Sequence, residues 1–148
     1  MFPLTNIPCF LILAPTAPPQ PQIPAGFIKL NDGFYYRSYS EKKNWNDAEN
    51  SCKSVGAHLA IIWNQQTRDI VHIMGLSNIW IGVSDQSQEG VWKTPLNTPI
   101  PYSSWNTGEP NNLGNEDCVH MFNKVWNDAS CDIQLPYVCQ FKTSKYDQ

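Results

Sequence analysis

The chain has 148 residues, a net charge of −3 and 16% charged residues, so it suits one compact domain and carries no basic stripe of the kind that nucleic acid requires. Hydrophobic residues make up 41% and aromatics 12%, enough for a core. No apolar run nears the roughly 18 residues of a membrane span, and twelve prolines disfavour a long helical bundle.

In chain order, Ile7–Ala14 (IPCFLILA) fits the apolar core of a secretory signal, although no Lys or Arg precedes it. Residues 15–24 hold five prolines and read as an extended spacer. Residues 1–25 are therefore taken as a signal segment with a proline-rich linker, and 26–148 as the domain. Phe34-Tyr35-Tyr36 is a strand candidate. Asn44–Val55 has helical spacing, with Trp45, Ala48, Cys52 and Val55 on one stripe, Asn44 as N-cap and Gly56 as the stop. Ala60-Ile61-Ile62 reads as a short strand. A second helix is expected over Asn64–Met74, with Ile70, Ile73 and Met74 as its apolar positions and Gly75 at its end. Ile79–Val83 reads as a buried strand. Regular patterning then fails from Ser84 to Glu116, a stretch too long to be an idle loop in a compact domain. Val119–Phe122, Lys124–Trp126 and Tyr137–Phe141 read as closing strands. The class is α+β: two helices, short antiparallel strands and one long irregular region.

Of five cysteines, Cys9 stands alone in the apolar N-terminal stretch. Cys52, Cys118, Cys131 and Cys139 form an even set without a C-x-x-C pair, which suggests two disulfides and an oxidising compartment; four free thiols are the alternative. His58, His72 and His120 are scattered, with no H-E-x-x-H arrangement, and no serine sits in a G-x-S-x-G elbow. Catalysis by these groups is not expected.

The irregular region gathers Asp85, Glu89, Glu109, Asn111, Asn112, Glu116 and Asp117, and Asn127-Asp128 follows beyond Cys118. All offer oxygen. Calcium takes 6–8 oxygen ligands in tolerant geometry, whereas zinc prefers nitrogen and sulfur and magnesium retains its waters. Calcium is thus the favoured cofactor, and the EF-hand spacing is absent. Plain solvation is the competing reading of such an acidic loop.

Residues 26–141 resemble a C-type lectin domain. The resemblance is carried by Trp80-Ile81-Gly82, Glu89-Gly90-x-Trp92, Trp105, Glu109-Pro110-Asn111, Glu116-Asp117-Cys118, Trp126-Asn127-Asp128 and the four cysteines. It implies bridges Cys52–Cys139 and Cys118–Cys131, and a cis bond before Pro110. It implies that Glu109, Asn111, Glu116, Asn127 and Asp128 form a principal site where calcium and sugar meet, and that Asp85, Glu89, Asn112 and Asp117 form an auxiliary calcium site. The run EPNNLGNEDC is most similar to mannose-binding receptors of the dendritic-cell type. The extra N-terminal cysteine pair of the family's long form is missing.

The chemistry expected of the five residues follows from their donors and acceptors. A ligating carboxylate accepts a hydrogen bond from a sugar hydroxyl, and the free NH₂ of a ligating asparagine donates one. The order Glu109 then Asn111 implies vicinal equatorial hydroxyls of mannose, fucose or GlcNAc type; in the family, Gln-Pro-Asp goes with galactose. The expected function is a secreted or extracellular calcium-dependent lectin for glycans, with self-association for avidity through the domain, the N-terminal segment or Cys9. A protein- or surface-binding module of the same fold is the alternative. Glycoside hydrolysis by Glu109 and Glu116 is disfavoured, because carboxylates held on a cation stay ionised and cannot serve as acids. Trp45, Trp80, Trp92 and Trp126 read as core, and Trp63 and Trp105 remain unassigned.

Overall fold

The computed structural model describes residues 3, 8–20, 22–75 and 77–143. Ile7 of the N-terminal apolar stretch, and Leu76 and 144–148 of the assigned domain, lie outside the described residues. The elements are β1 (Ile28–Lys29), β2 (Tyr35–Lys43), α1 (Trp45–Ser54), β3 (His58–Leu59), α2 (Gln65–Met74), β4 (Asn78–Ser84), β5 (Cys118–Phe122), β6 (Val125–Ala129) and β7 (Leu135–Phe141). The sheet runs β1-β2-β7-β4-β5-β6, with β3 also pairing β7. The pairings are antiparallel except that of β4 with β7, at Trp80 and Tyr137.

Both helices begin where asparagine caps them. The Asn44 side chain accepts from Asp47 N (2.8 Å) and the Asn64 side chain from Thr67 N (2.9 Å), each satisfying an orphan amide of the first turn. Helix α1 buries Trp45, Ala48, Glu49 and Cys52. Glu49 is an ionisable residue inside that face: its Oε2 accepts from Leu59 N (2.7 Å), and burial pushes its carboxyl above the ordinary value. In α2 the inward residues are Thr67 and Val71. Ile73, expected on the apolar face, is 81% exposed.

Strand β2 extends well beyond the expected Phe34-Tyr35-Tyr36. The expected strand Ala60–Ile62 is instead a buried segment without strand pairing. Its backbone is satisfied otherwise: Ala60 N donates to Val138 O (2.9 Å), and the Gln140 side chain accepts from Ile61 N (3.2 Å) and donates to Ile61 O (3.1 Å). Gly82 of β4 packs against this segment. Its N–H donates to Ala60 O (2.8 Å), and a Cβ at Gly82 would stand 2.5 Å from Leu59 O, so no larger residue fits.

Two disulfides pin this frame. Cys52–Cys139 ties α1 to β7 across a sequence separation of 87, and Cys118–Cys131 closes a separation of 13 around the β5–β6 hairpin. Loop-closure entropy assigns the longer loop the larger effect, about 3–5 kcal/mol for loops of this order. Cys9 is free and exposed. Among the described residues, no helix is long and apolar enough to cross a membrane.

Candidate functional site

The long irregular region is anchored by aromatic packing. Trp126 of β6 is fully buried, and Trp105 meets it edge-on (centroids 5.5 Å) while contacting Trp92 (5.0 Å). Backbone bonds reinforce the contact: Trp126 N donates to Ser104 O (2.8 Å) and Asn106 N to Trp126 O (2.9 Å). Trp105 is thereby assigned to packing. The chain leaves this anchor through Gly108, at φ +83°, and passes the cis bond Glu109–Pro110 to bond Asp128 of β6. Asn112 follows at φ +48°, in the left-handed region that asparagine tolerates.

Asp128 organises the first acidic cluster. Its side chain is fully buried, and its two oxygens accept from Asn111 N (3.1 Å) and Asn112 N (2.7 Å). The Asn111 amide donates to Glu109 Oε1 (3.0 Å). Leu113 N donates to both Asn111 Oδ1 (3.0 Å) and Glu116 Oε2 (3.1 Å). The Asn127 amide nitrogen donates to Asp128 O (2.8 Å) and faces His120 Nε2 (3.0 Å) across the β5–β6 pair. Glu109, Asn111, Glu116, Asn127 and Asp128 thus belong to one connected network. Glu109 Oε2 is buried and receives no hydrogen bond from the described residues. Partial burial, then the nearby Asp128 carboxylate, push the Glu109 carboxyl above its ordinary value, and Glu116 adds to this.

Two details depart from the sequence reading. Both Asn127 N–H groups are directed at acceptors within the protein, so its oxygen is the atom left for an external partner; Asn111 keeps one N–H beyond its bond to Glu109. His120, given no role by the sequence, reaches Asn127. Its ring is held neutral by burial, which outweighs the opposing charge of Asp128. The signal that could have found it is the β5–β6 register, which sets His120 opposite Asn127.

The second cluster is Asp85, Glu89 and Asp117, whose carboxylate oxygens lie within 4.8 Å of one another, the one such trio of acidic, His or Cys ligands among the described residues. Asp85 is 2% exposed. Its Oδ2 accepts from Gly90 N (2.8 Å), while Oδ1 is buried and receives no hydrogen bond from the described residues. Burial raises the Asp85 carboxyl against the Gly90 bond, with Asp117 adding repulsion. Glu89 is raised by desolvation and then by Asp85 and Asp117. The side-chain oxygen of Asn112, expected with this trio, accepts from Glu116 N (2.8 Å).

Each cluster therefore holds a buried carboxylate oxygen that receives no hydrogen bond from the described residues, and neighbouring acids raise the proton affinity of Glu109 in the first and of Asp85 and Glu89 in the second. An all-oxygen donor set of this kind fits a hard divalent cation such as calcium, which would relieve both.

Fold and motifs together define a C-type lectin-like domain, and the chain belongs to that family: the profile of the Lectin C-type domain matches residues 41–141. A C-type lectin mannose-binding isoform of Oxyuranus scutellatus is 37% identical over 122 residues, covering 74% of this chain and 77% of its own. The cow C-type carbohydrate-recognition domain of CD23, solved in the presence of GlcNAc2Man3 oligosaccharide, superposes with a TM-score of 0.77 at 29% identity, covering 84% of this chain and 98% of that one. A calcium-independent type II antifreeze protein superposes with a TM-score of 0.76 at 27% identity, covering 82% and 95%. The family is non-enzymatic, normally binds calcium, and points to carbohydrate binding.

Proposed function

We propose that the chain is a calcium-dependent lectin for mannose-, fucose- or GlcNAc-type sugars, acting extracellularly through Glu109, Asn111, Glu116, Asn127 and Asp128. The observation that carries this reading is the network centred on Asp128, with a buried Glu109 oxygen left without a donor. When bound, calcium supplies coordination positions that two neighbouring hydroxyls can fill. Glu109 and Glu116 would accept from those hydroxyls, and the remaining N–H of Asn111 would donate to one of them. Asp128 holds the loop over β6. Asp85, Glu89 and Asp117 fit an auxiliary cation site.

The order Glu109-Pro110-Asn111 favours vicinal equatorial hydroxyls, and the mannose-binding relative supports that choice. A single sugar touches little surface, so an affinity near 1 mM, about −4 kcal/mol, is expected. Useful avidity then requires several domains or clustered ligands. Residues 1–25 fit a leader with a proline-rich spacer, and the domain follows from residue 26.

Retention on immobilised mannan tests the reading. Binding in calcium, release by chelator, and displacement by mannose at a concentration about tenfold below that of galactose are expected. Equal displacement by both sugars would refute the specificity. A second reading, a protein- or surface-binding module, draws on the likeness to the calcium-independent antifreeze protein. Glu109→Gln separates the two: it abolishes lectin activity and spares a cation-free surface.

A further inference from the structure

Five of the six tryptophans lie in or against the two core clusters; Trp63 lies in neither. Its Nε1 donates to Gln140 Oε1 (3.3 Å), and Gln140 is itself fully buried and donates to the Tyr36 hydroxyl (3.0 Å). One edge of the indole is therefore fixed to the interior. Phe34 stacks on Trp63 with centroids 5.8 Å apart and planes at 18°.

These two rings form part of the wall of a cavity of about 530 Å³, together with Phe141 and Leu96. That volume falls within the range of small-molecule sites. Two polar groups line it. Lys142 carries its ammonium 5.5 Å over the Phe34 ring. His58 has Nδ1 2.9 Å from Leu59 O, which can only accept, so Nδ1 bears the proton and Nε2 is the ring's acceptor. Burial lowers the proton affinity of His58 and keeps it neutral. No aspartate, glutamate, asparagine or glutamine lines the cavity among the described residues, and it shares no residue with either acidic cluster.

This lining discriminates between ligand classes. A bare sugar needs amides or carboxylates along its hydroxyls, and one imidazole does not supply them. A cation would meet the Lys142 ammonium with no compensating acid among the described lining residues. A flat apolar ring gains contact with the aromatic walls, and a single negative group on that ring gains the charge of Lys142, which meets no acid among the described lining residues. We propose that this cavity binds an aromatic carboxylate of one or two rings, the ring against Trp63 and Phe34 and the carboxylate at Lys142.

The test titrates 2-naphthoate, with neutral 2-naphthylmethanol as control, into the full chain, with calcium and then with chelator. Binding is read by tryptophan fluorescence and by amide and indole NMR shifts. Saturable 2-naphthoate binding is expected with a Kd on the order of 1 mM or tighter. Its shifts should centre on the Trp63 indole N–H and on His58, unchanged by chelator. Lys142→Glu should weaken 2-naphthoate about tenfold and leave 2-naphthylmethanol unchanged. Trp63→Phe, which keeps a ring but loses the Gln140 anchor, should weaken both compounds. Absence of saturation, shifts centred elsewhere, or an affinity for 2-naphthoate indifferent to Lys142→Glu would each overturn the proposal. Tighter binding of decanoate than of 2-naphthoate would overturn the assignment of a flat ring. Chelator independence separates this outcome from that of the mannan experiment.

Discussion

The two acidic clusters face the same difficulty, carboxylates crowded beside a folded core, and meet it differently. Around Asp128, amides and backbone N–H groups alternate with the acids, so that Asn111 and Leu113 N lie between Glu109, Asp128 and Glu116. Around Asp85, the three carboxylates face one another, with Gly90 N and the Asn115 amide (3.3 Å from Asp117 Oδ2) as the donors supplied. The first arrangement is largely preformed by hydrogen bonds. The second is held together against its own repulsion, which a cation or protons would relieve. On the proposed reading, preorganisation at the first site and electrostatic cost at the second would contribute to cation affinity in distinct ways.

The largest expected effect tests the preformed cluster. Asp128→Ala removes the acceptor of two backbone amides, and sugar retention should vanish. Unfolding free energy should drop by about 2 kcal/mol, measured by urea denaturation; undiminished stability would show that the network does not organise the loop. Asp85→Asn should act with the opposite sign in the metal-free protein. It keeps an acceptor for Gly90 N and removes a repelled charge, so Tm in chelator should rise by about 2 °C or more, while the Tm increment produced by calcium shrinks. A lower Tm in chelator would contradict the stored-repulsion account.

The same contrast has a pH signature. In the metal-free fold, Asp85, Glu89 and Glu109 hold their protons to higher pH than the unfolded chain does. Between the ordinary carboxylate values and the raised ones, the folded state binds more protons, so stability falls as pH rises through that window. His58 and His120, whose proton affinity burial lowers, act with the opposite sign, so the comparison is made against Asp85→Asn, which shares both: scanning calorimetry in chelator should show the native protein gaining more Tm than that variant as pH falls through the window. With calcium present the trend should reverse, because protons then compete with the cation. Identical slopes in both conditions would break the comparison. The smallest effect concerns Asn127: His120→Ala removes one acceptor of its amide, and mannoside affinity should weaken about threefold to tenfold, corresponding to one lost hydrogen bond of about 0.5–1.5 kcal/mol. Unchanged affinity would show that Asp128 O alone orients the amide.

What could be read from the sequence was short-range or compositional. Asn44 announces its helix because capping acts within three residues, and the apolar spacing announces the second. The oxygen-rich residues between Asp85 and Asp128 stand out because they cluster in one stretch without regular patterning, next to tryptophans and a cysteine pair. What escaped reading depends on distant partners. Ala60–Ile62 has a strand's composition, yet the Gln140 side chain, far along the chain, takes the place of a ladder partner. Glu49 breaks an apolar stripe because Leu59 N waits beneath it. Ile73 fits the helical period, but nothing in the sheet covers that face. In the site, residue types were legible, whereas the burial of Asp128, the division of labour between the two asparagine amides and the place of His120 required the β5–β6 register.

The central claim is that Glu109 and its neighbours around Asp128, rather than the Asp85 trio, hold the sugar. Calorimetric titration of methyl α-mannoside into the native protein, Glu109→Gln and Asp85→Asn, all in saturating calcium, addresses it directly. Millimolar binding to the native protein, its retention in Asp85→Asn and its loss in Glu109→Gln are the results expected. Undiminished mannoside binding by Glu109→Gln would contradict the account.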